Sequence, residues 1–134
     1  MRILVIDEEA FVREALRRVL GGASTVITAS DAAEGLKLLG ESSVDLVIID
    51  VVPPALDGIA AIRAIRRDFP NVCVIALAGS GTSGLSSYRP EAISTNAYLA
   101  ASTAAGAHGN LAKPFETREL RELIERVCPL QSPS

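Results

Sequence analysis

The run Val72-Cys73-Val74-Ile75-Ala76-Leu77, VCVIAL, is continuously apolar, with no polar residue at alternate positions. A strand with one face in water alternates; a strand without alternation has both faces covered, as in a parallel sheet flanked by helices. The run therefore reads as a central or nearly central fourth strand. Working outward, Val44 to Ile49, with Asp45 as its one charge, reads as a third strand, Val26 to Ala29 as a second and Ile3 to Ile6 as a first. Leu111-Ala112 is a weak fifth. Amphipathic segments lie between them. Phe11, Ala15, Leu16, Val19 and Leu20 recur at helical spacing until Gly21-Gly22 stops them. Asp31 and Glu34 resemble an N-terminal capping pair ahead of Leu36, Leu38 and Leu39. Ile59, Ile62 and Ile65 share one helix face opposite Arg63, Arg66 and Arg67, and Leu120, Leu123, Ile124 and Val127 define the last helix. This alternation predicts an α/β fold with a doubly wound, five-stranded parallel sheet.

A chain of 134 residues, 49% of them hydrophobic, suffices for one compact domain and is short for two. The expected domain is 1–128, with a lengthened segment 79–92 after the fourth strand and a flexible tail 129–134. Thirteen Lys plus Arg against 16 Asp plus Glu give a net charge of −3, which argues against direct nucleic-acid binding. The first apolar run is broken at once by Asp7, Glu8 and Glu9, so it is neither a signal-peptide core nor a membrane span, and a cytoplasmic location is expected. Cys73 and Cys128 have no metal-ligand spacing and read as reduced thiols.

The polar residues then fall into place. Asp7 and Glu8 end the first strand, Asp50 ends the third and Lys113 follows the fifth. In a sheet of order 2-1-3-4-5 the first and third strands are neighbours at the switch point where doubly wound folds bind ligands. Three acids and a lysine thus converge on one crevice. Crowded carboxylates call for a cation, and a hard divalent ion such as Mg²⁺ suits oxygen donors and phosphate together. The lysine suits the phosphate.

Three segments carry a resemblance. ILVIDEE at the start, LVIID followed by VVPPALDG in the middle, and LAKPF near the end resemble, in that order, the signatures of the response-regulator receiver domain of two-component signalling. The resemblance implies a flavodoxin-like receiver fold of order 2-1-3-4-5. It makes Asp50 the phosphoacceptor, with Asp7, Glu8, Asp50 and the backbone carbonyl of Val52 around Mg²⁺, and Lys113 against the phosphoryl group. It also implies a cis Lys113-Pro114 bond. The partners would be a sensor histidine kinase or a histidine phosphotransfer protein, with a downstream protein or a second copy receiving the signal, and neither nucleic acid nor membrane. The chain would be a stand-alone phosphoacceptor rather than an enzyme.

The stretch Ala76 to Gly84, ALAGSGTSG, also fits the G-x-G-x-x-G pattern of a dinucleotide loop. That motif needs an acid about 20 residues on, and the only acid between Gly84 and Glu116 is Glu91. The glycines belong instead to the loop after the fourth strand, where Gly79 and Ser80 are expected to contact the phosphoryl group, aided by the hydroxyls of Thr82 and Ser83. Two positions depart from the family: Ala78 stands where a Ser or Thr is usual, and Asn110 where an aromatic residue is usual. The connection from Ala78 to Lys113 is also longer than is common. These departures leave a second reading open, a phosphorylation-independent receiver-like adaptor. A hydrolase using Asp50 as nucleophile lacks an evident acid or base, since His108, the one histidine, reads as an exposed loop residue. The stretch from Ile93 to Ala112 has no formal charge, so its helix is either covered by the lengthened segment or used for docking, with Tyr98 as a probe position.

Overall fold

A computed structural model describes residues 1–51, 55–79 and 90–129. The elements run β1 Arg2–Ile6, α1 Ala10–Leu20, β2 Thr25–Ala29, α2 Ala32–Glu41, β3 Leu46–Asp50, α3 Ala55–Asp68, β4 Cys73–Ala78, α4 Pro90–Ala105, β5 Gly109–Ala112 and α5 Thr117–Val127. All strand pairs are parallel and the order is β2-β1-β3-β4-β5, as the sequence predicts.

Covered on both faces, the sheet makes two cores, and strand parity sorts the residues between them. Leu4 and Ile6 of β1, Val47 and Ile49 of β3, and Val74, Ala76 and Ala78 of β4 pack with Leu39 of α2, Ile62 and Ile65 of α3, and the half-buried Tyr98 and Leu99 of α4. Ile3 and Val5, Leu46 and Ile48, and Ile75 and Leu77 pack on the other face with Leu16 and Leu20 of α1 and Leu120, Leu123 and Ile124 of α5. Cys128 is buried in this second core, and both cysteines are thiols.

Several boundaries shift for main-chain reasons. β3 begins at Leu46 rather than Val44; at its entrance the Asp45 carboxylate accepts the Arg2 N–H at 2.8 Å and the Asp45 carbonyl accepts the Cys73 N–H at 3.0 Å. β5 begins at Gly109, ahead of the apolar pair, since ladder bonds to β4 need no apolar side chain. The expected lengthened segment 79–92 overlaps α4, which already includes residues 90–92; residues 80–89, like most of the tail, lie outside the described residues. The Asp31 cap is present, its side chain accepting the Glu34 N–H at 2.8 Å. Among the described residues no helix is long and apolar enough to cross a membrane.

His108 is exposed, as expected, but its ring is not idle: Nδ1 accepts the Val74 N–H at 3.0 Å, while the His108 N–H donates to the Val74 carbonyl at 2.8 Å. An acceptor Nδ1 carries no proton. Burial, and then the charge of Arg66, hold the imidazole below its ordinary pKa. Because the folded value is depressed, the stability this ring contributes is present above the unfolded value near 6.5 and is lost as pH falls through the folded one. Urea midpoints taken from pH 7.5 down to 5 are expected to fall more steeply for the wild type than for His108→Asn; parallel curves would show that the ring is not coupled to folding.

Candidate functional site

At the carboxyl edge of the sheet β1 and β3 lie side by side, Ile6 opposite Ile49. Asp50 shares its parity with Leu46 and Ile48, and Asp7 with Ile3 and Val5, so the pleat sends both acids toward the α1 and α5 side. There they meet Lys113, which follows β5. Its Nζ lies 3.1 Å from Asp7 Oδ2 and 3.0 Å from Asp50 Oδ2, with Glu9 Oε1 at 3.7 Å. The side chains are 5% exposed for Lys113, 0% for Asp7, 11% for Asp50 and 25% for Glu9, so Asp50 is the aspartate that solvent reaches. Both Asp7 carboxylate oxygens are engaged, Oδ1 accepting the Glu9 N–H at 2.9 Å and Oδ2 the lysine. Burial, the largest single influence on Lys113, works against its charge, but the charges and hydrogen bonds of Asp50 and Asp7 outweigh it and raise its pKa.

Asp7, Glu9 and Asp50 each offer a carboxylate oxygen, and these oxygens lie within 4.8 Å of one another. Three hard oxygen donors at a crevice edge fit a small divalent cation. The sequence reading placed Glu8 with Asp7; the structure has Glu8 exposed and groups Glu9 with Asp7 and Asp50 instead. Glu9 stands at the N-cap of α1, yet its carboxylate makes no cap bond.

Other expected site residues are placed as follows. Gly79 ends β4 with φ +109°, and a Cβ there would meet the Lys113 carbonyl at 3.0 Å and its nitrogen at 3.3 Å. Only glycine takes that backbone without strain, and only glycine lets the β4 end lie against the lysine's main chain. The Lys113 N–H donates to the Ala78 carbonyl at 2.7 Å, and the Lys113-Pro114 peptide is cis. Ala78 is buried and has no hydroxyl to offer. Asn110 is tied to α4, its Nδ2 donating to Thr103 Oγ1 at 2.8 Å. Gly58 of α3 packs close to the end of β3, and a Cβ there would come 2.9 Å from Val51 Cα and 3.1 Å from the Asp50 carbonyl. The Val52 carbonyl and Ser80, Thr82 and Ser83 lie outside the described residues.

A family model for the response regulator receiver domain matches residues 3–125. The chain belongs to that family. Response regulator MprA of Mycobacterium sp. (strain KMS) is 33% identical over 138 residues, covering 99% of this chain and 54% of that protein. The counterpart in Mycobacterium leprae is 31% identical over 134 residues. The chain spans about half the length of these curated relatives. Among solved structures, a receiver domain protein from Clostridium thermocellum superposes with a TM-score of 0.78 at 28% identity, covering 97% of this chain and 95% of its own. A response regulator from Thermotoga maritima does so with a TM-score of 0.73 at 26% identity. This receiver is thus a domain of two-component signalling, and its Asp7, Glu9 and Asp50 cluster is consistent with a phosphoacceptor site.

Removing the lysine would leave buried carboxylates facing one another. Lys113→Met is expected to cost about 3 kcal/mol of folding stability in cation-free buffer, because an ion pair loses one partner while the others stay buried. The double variant Lys113→Met/Asp7→Asn should recover part of that loss, since it removes one of the like charges. Chemical denaturation of the three proteins checks both statements.

Proposed function

We propose that this receiver accepts a phosphoryl group on Asp50 from a phosphohistidine, carried by a sensor histidine kinase or a histidine phosphotransfer protein. One observation carries the reading: Lys113 bridges Asp7 and Asp50 at 3.0–3.1 Å, Asp7 is sealed with both oxygens committed, and Asp50 is the more exposed of the two, at 11% against 0%. A carboxylate oxygen of Asp50 attacks phosphorus in line with the phosphorus–nitrogen bond of the donor. An acyl phosphate forms, that bond breaks, and the imidazole leaves with the electron pair and takes up a proton. Such a transfer depends on positioning and on neutralising charge rather than on side-chain acids and bases. Lys113 turns from the two carboxylates toward the incoming phosphoryl oxygens, where a point charge suffices.

Asp7, Glu9 and Asp50 would hold Mg²⁺, with the Val52 carbonyl and Glu8 as the further donors that the family resemblance implies. When bound, the ion supplies neutralisation of charge shared between carboxylates and phosphoryl oxygens. The main chain at Gly79 and Ser80 is assigned to the phosphoryl group, in place of the hydroxyl that Ala78 lacks. Phe11, the exposed large apolar residue of α1, borders a groove of about 330 Å³ that also has Lys113, Pro114 and Phe115 in its wall, which offers a donor protein an apolar approach to the site. A downstream protein or a second copy would read the phosphorylated state. The adaptor reading, in which the domain docks without phosphorylation, is favoured by the Asn110 tie to Thr103, which holds β5 to α4 without an aromatic side chain free to swing.

Incubation with acetyl phosphate and Mg²⁺, followed by intact mass measurement, tests the assignment. The wild type is expected to gain one labile phosphoryl group, Asp50→Asn none, and Glu8→Gln and Glu9→Gln to need more Mg²⁺ for the same yield. Modification that persists in Asp50→Asn, or none in the wild type, would overturn the phosphoacceptor role and leave the adaptor reading.

A further inference from the structure

The β1–α1 turn, residues 7–9, carries two of the three clustered carboxylates and is held by few bonds of its own. Glu9 makes no side-chain cap bond, and the first turn of α1 has no acidic residue to favour the helix dipole. Asp7 is anchored on the sheet side by its N–H, which donates to the Ala29 carbonyl at 3.1 Å. On the helix side the anchor is Arg13. Its Nη1 donates to the Asp7 carbonyl at 2.7 Å, and its peptide N–H donates to the Glu9 carbonyl at 3.2 Å.

The half-buried guanidinium therefore holds the main chain of Asp7, while the Glu9 carbonyl accepts the ordinary helix-start bonds of the Val12 and Arg13 N–H groups. The Asp7 carbonyl stands at the point where the β1 ladder ends, and the guanidinium takes the place of the strand donor it would otherwise need. Because the Asp7 carboxylate in turn accepts the Glu9 N–H at 2.9 Å, a shift of the Asp7 main chain displaces both acids together. The bond links the body of α1 to the height of this turn, and so to the separation between these two carboxylates and Asp50. Groups behind the ligands govern affinity through such placement.

We propose that Arg13 is a positioning residue for the metal and phosphoryl site, acting through the main chain of Asp7, and through the Asp7 carboxylate on Glu9, on the divalent-cation affinity of the cluster; this rests on the phosphoacceptor reading above. The role calls for donors that reach the carbonyl from a pre-organised side chain, which lysine supplies only in part.

The test titrates the full chain with Mg²⁺ alone, following the amide NMR signals of residues 7–9 and 113 in wild type, Arg13→Ala, Arg13→Gln and Arg13→Lys. Acetyl phosphate labelling is measured in parallel. Arg13→Ala and Arg13→Gln are expected to raise the Mg²⁺ concentration at half-saturation about tenfold, the low end for loss of a group behind a metal ligand, and Arg13→Lys to recover part of it. A mere loss of helix stability would lower the thermal midpoint without this graded Mg²⁺ response. Should Arg13→Ala fail to fold, the Gln and Lys variants carry the comparison. Half-saturation unchanged in all folded variants would overturn the proposal. A wild type that binds Mg²⁺ but gains no phosphoryl group would overturn the phosphoacceptor reading instead, while the Mg²⁺ titration still decides the role of Arg13.

Discussion

Everything at the carboxyl edge of this sheet depends on a lysine held between two aspartates that the fold brings together from distant parts of the chain. Buried like charges repel strongly where water cannot screen them. Lys113, at 3.0 Å from Asp50 and 3.1 Å from Asp7, makes that arrangement tolerable. The surrounding structure serves the lysine: Gly79 gives room for its main chain, the Ala78 carbonyl takes its N–H, and the turn at Pro114 starts the path to α5. One lysine among three carboxylates leaves the cluster net negative, which suits a cation.

The core sets the precision with which these groups meet. Each of β1, β3 and β4 divides its side chains between two separate cores, so none can slip by one residue without exchanging every apolar contact from one face to the other. That register places Ile6 opposite Ile49, and hence Asp7 beside Asp50. Packing and electrostatics act at different levels here: the apolar cores fix where the acids are, and Lys113 and the groups behind Asp7 fix how they can coexist.

The α4 and β5 side is built differently from the site. From residue 96 onward α4 has neutral side chains, small apart from Asn96, Tyr98 and Leu99, and its link to β5 is polar, through Asn110 and Thr103, whose hydroxyl also donates to the Leu99 carbonyl at 3.2 Å. A hydrogen-bonded amide holds one geometry, whereas an aromatic ring on a strand edge can occupy two. At the end of β4 Ala78 offers no hydroxyl, and the backbone at Gly79 lies so close to Lys113 that a Cβ there would come 3.0 Å from its carbonyl.

The sequence by itself determined the fold class, because it follows from patterns written locally: unbroken apolar runs, helical spacing between them and polar residues at the run ends; through the family resemblance it implied the strand order, and with it the convergence of Asp7, Asp50 and Lys113. It also marked the Asp31 cap and the exposure of His108. Other features were decided only in three dimensions. Whether Glu8 or Glu9 turns toward the cluster depends on the path of the β1–α1 turn, which Ala29 and Arg13 fix from outside it. That Asn110 ties to Thr103, and that His108 accepts the Val74 N–H, follows from β5 lying against β4 and α4, a contact between segments that composition cannot register. The strand Gly109–Ala112 was half hidden for the same reason, since its pairing rests on main-chain hydrogen bonds and leaves little trace in its side chains.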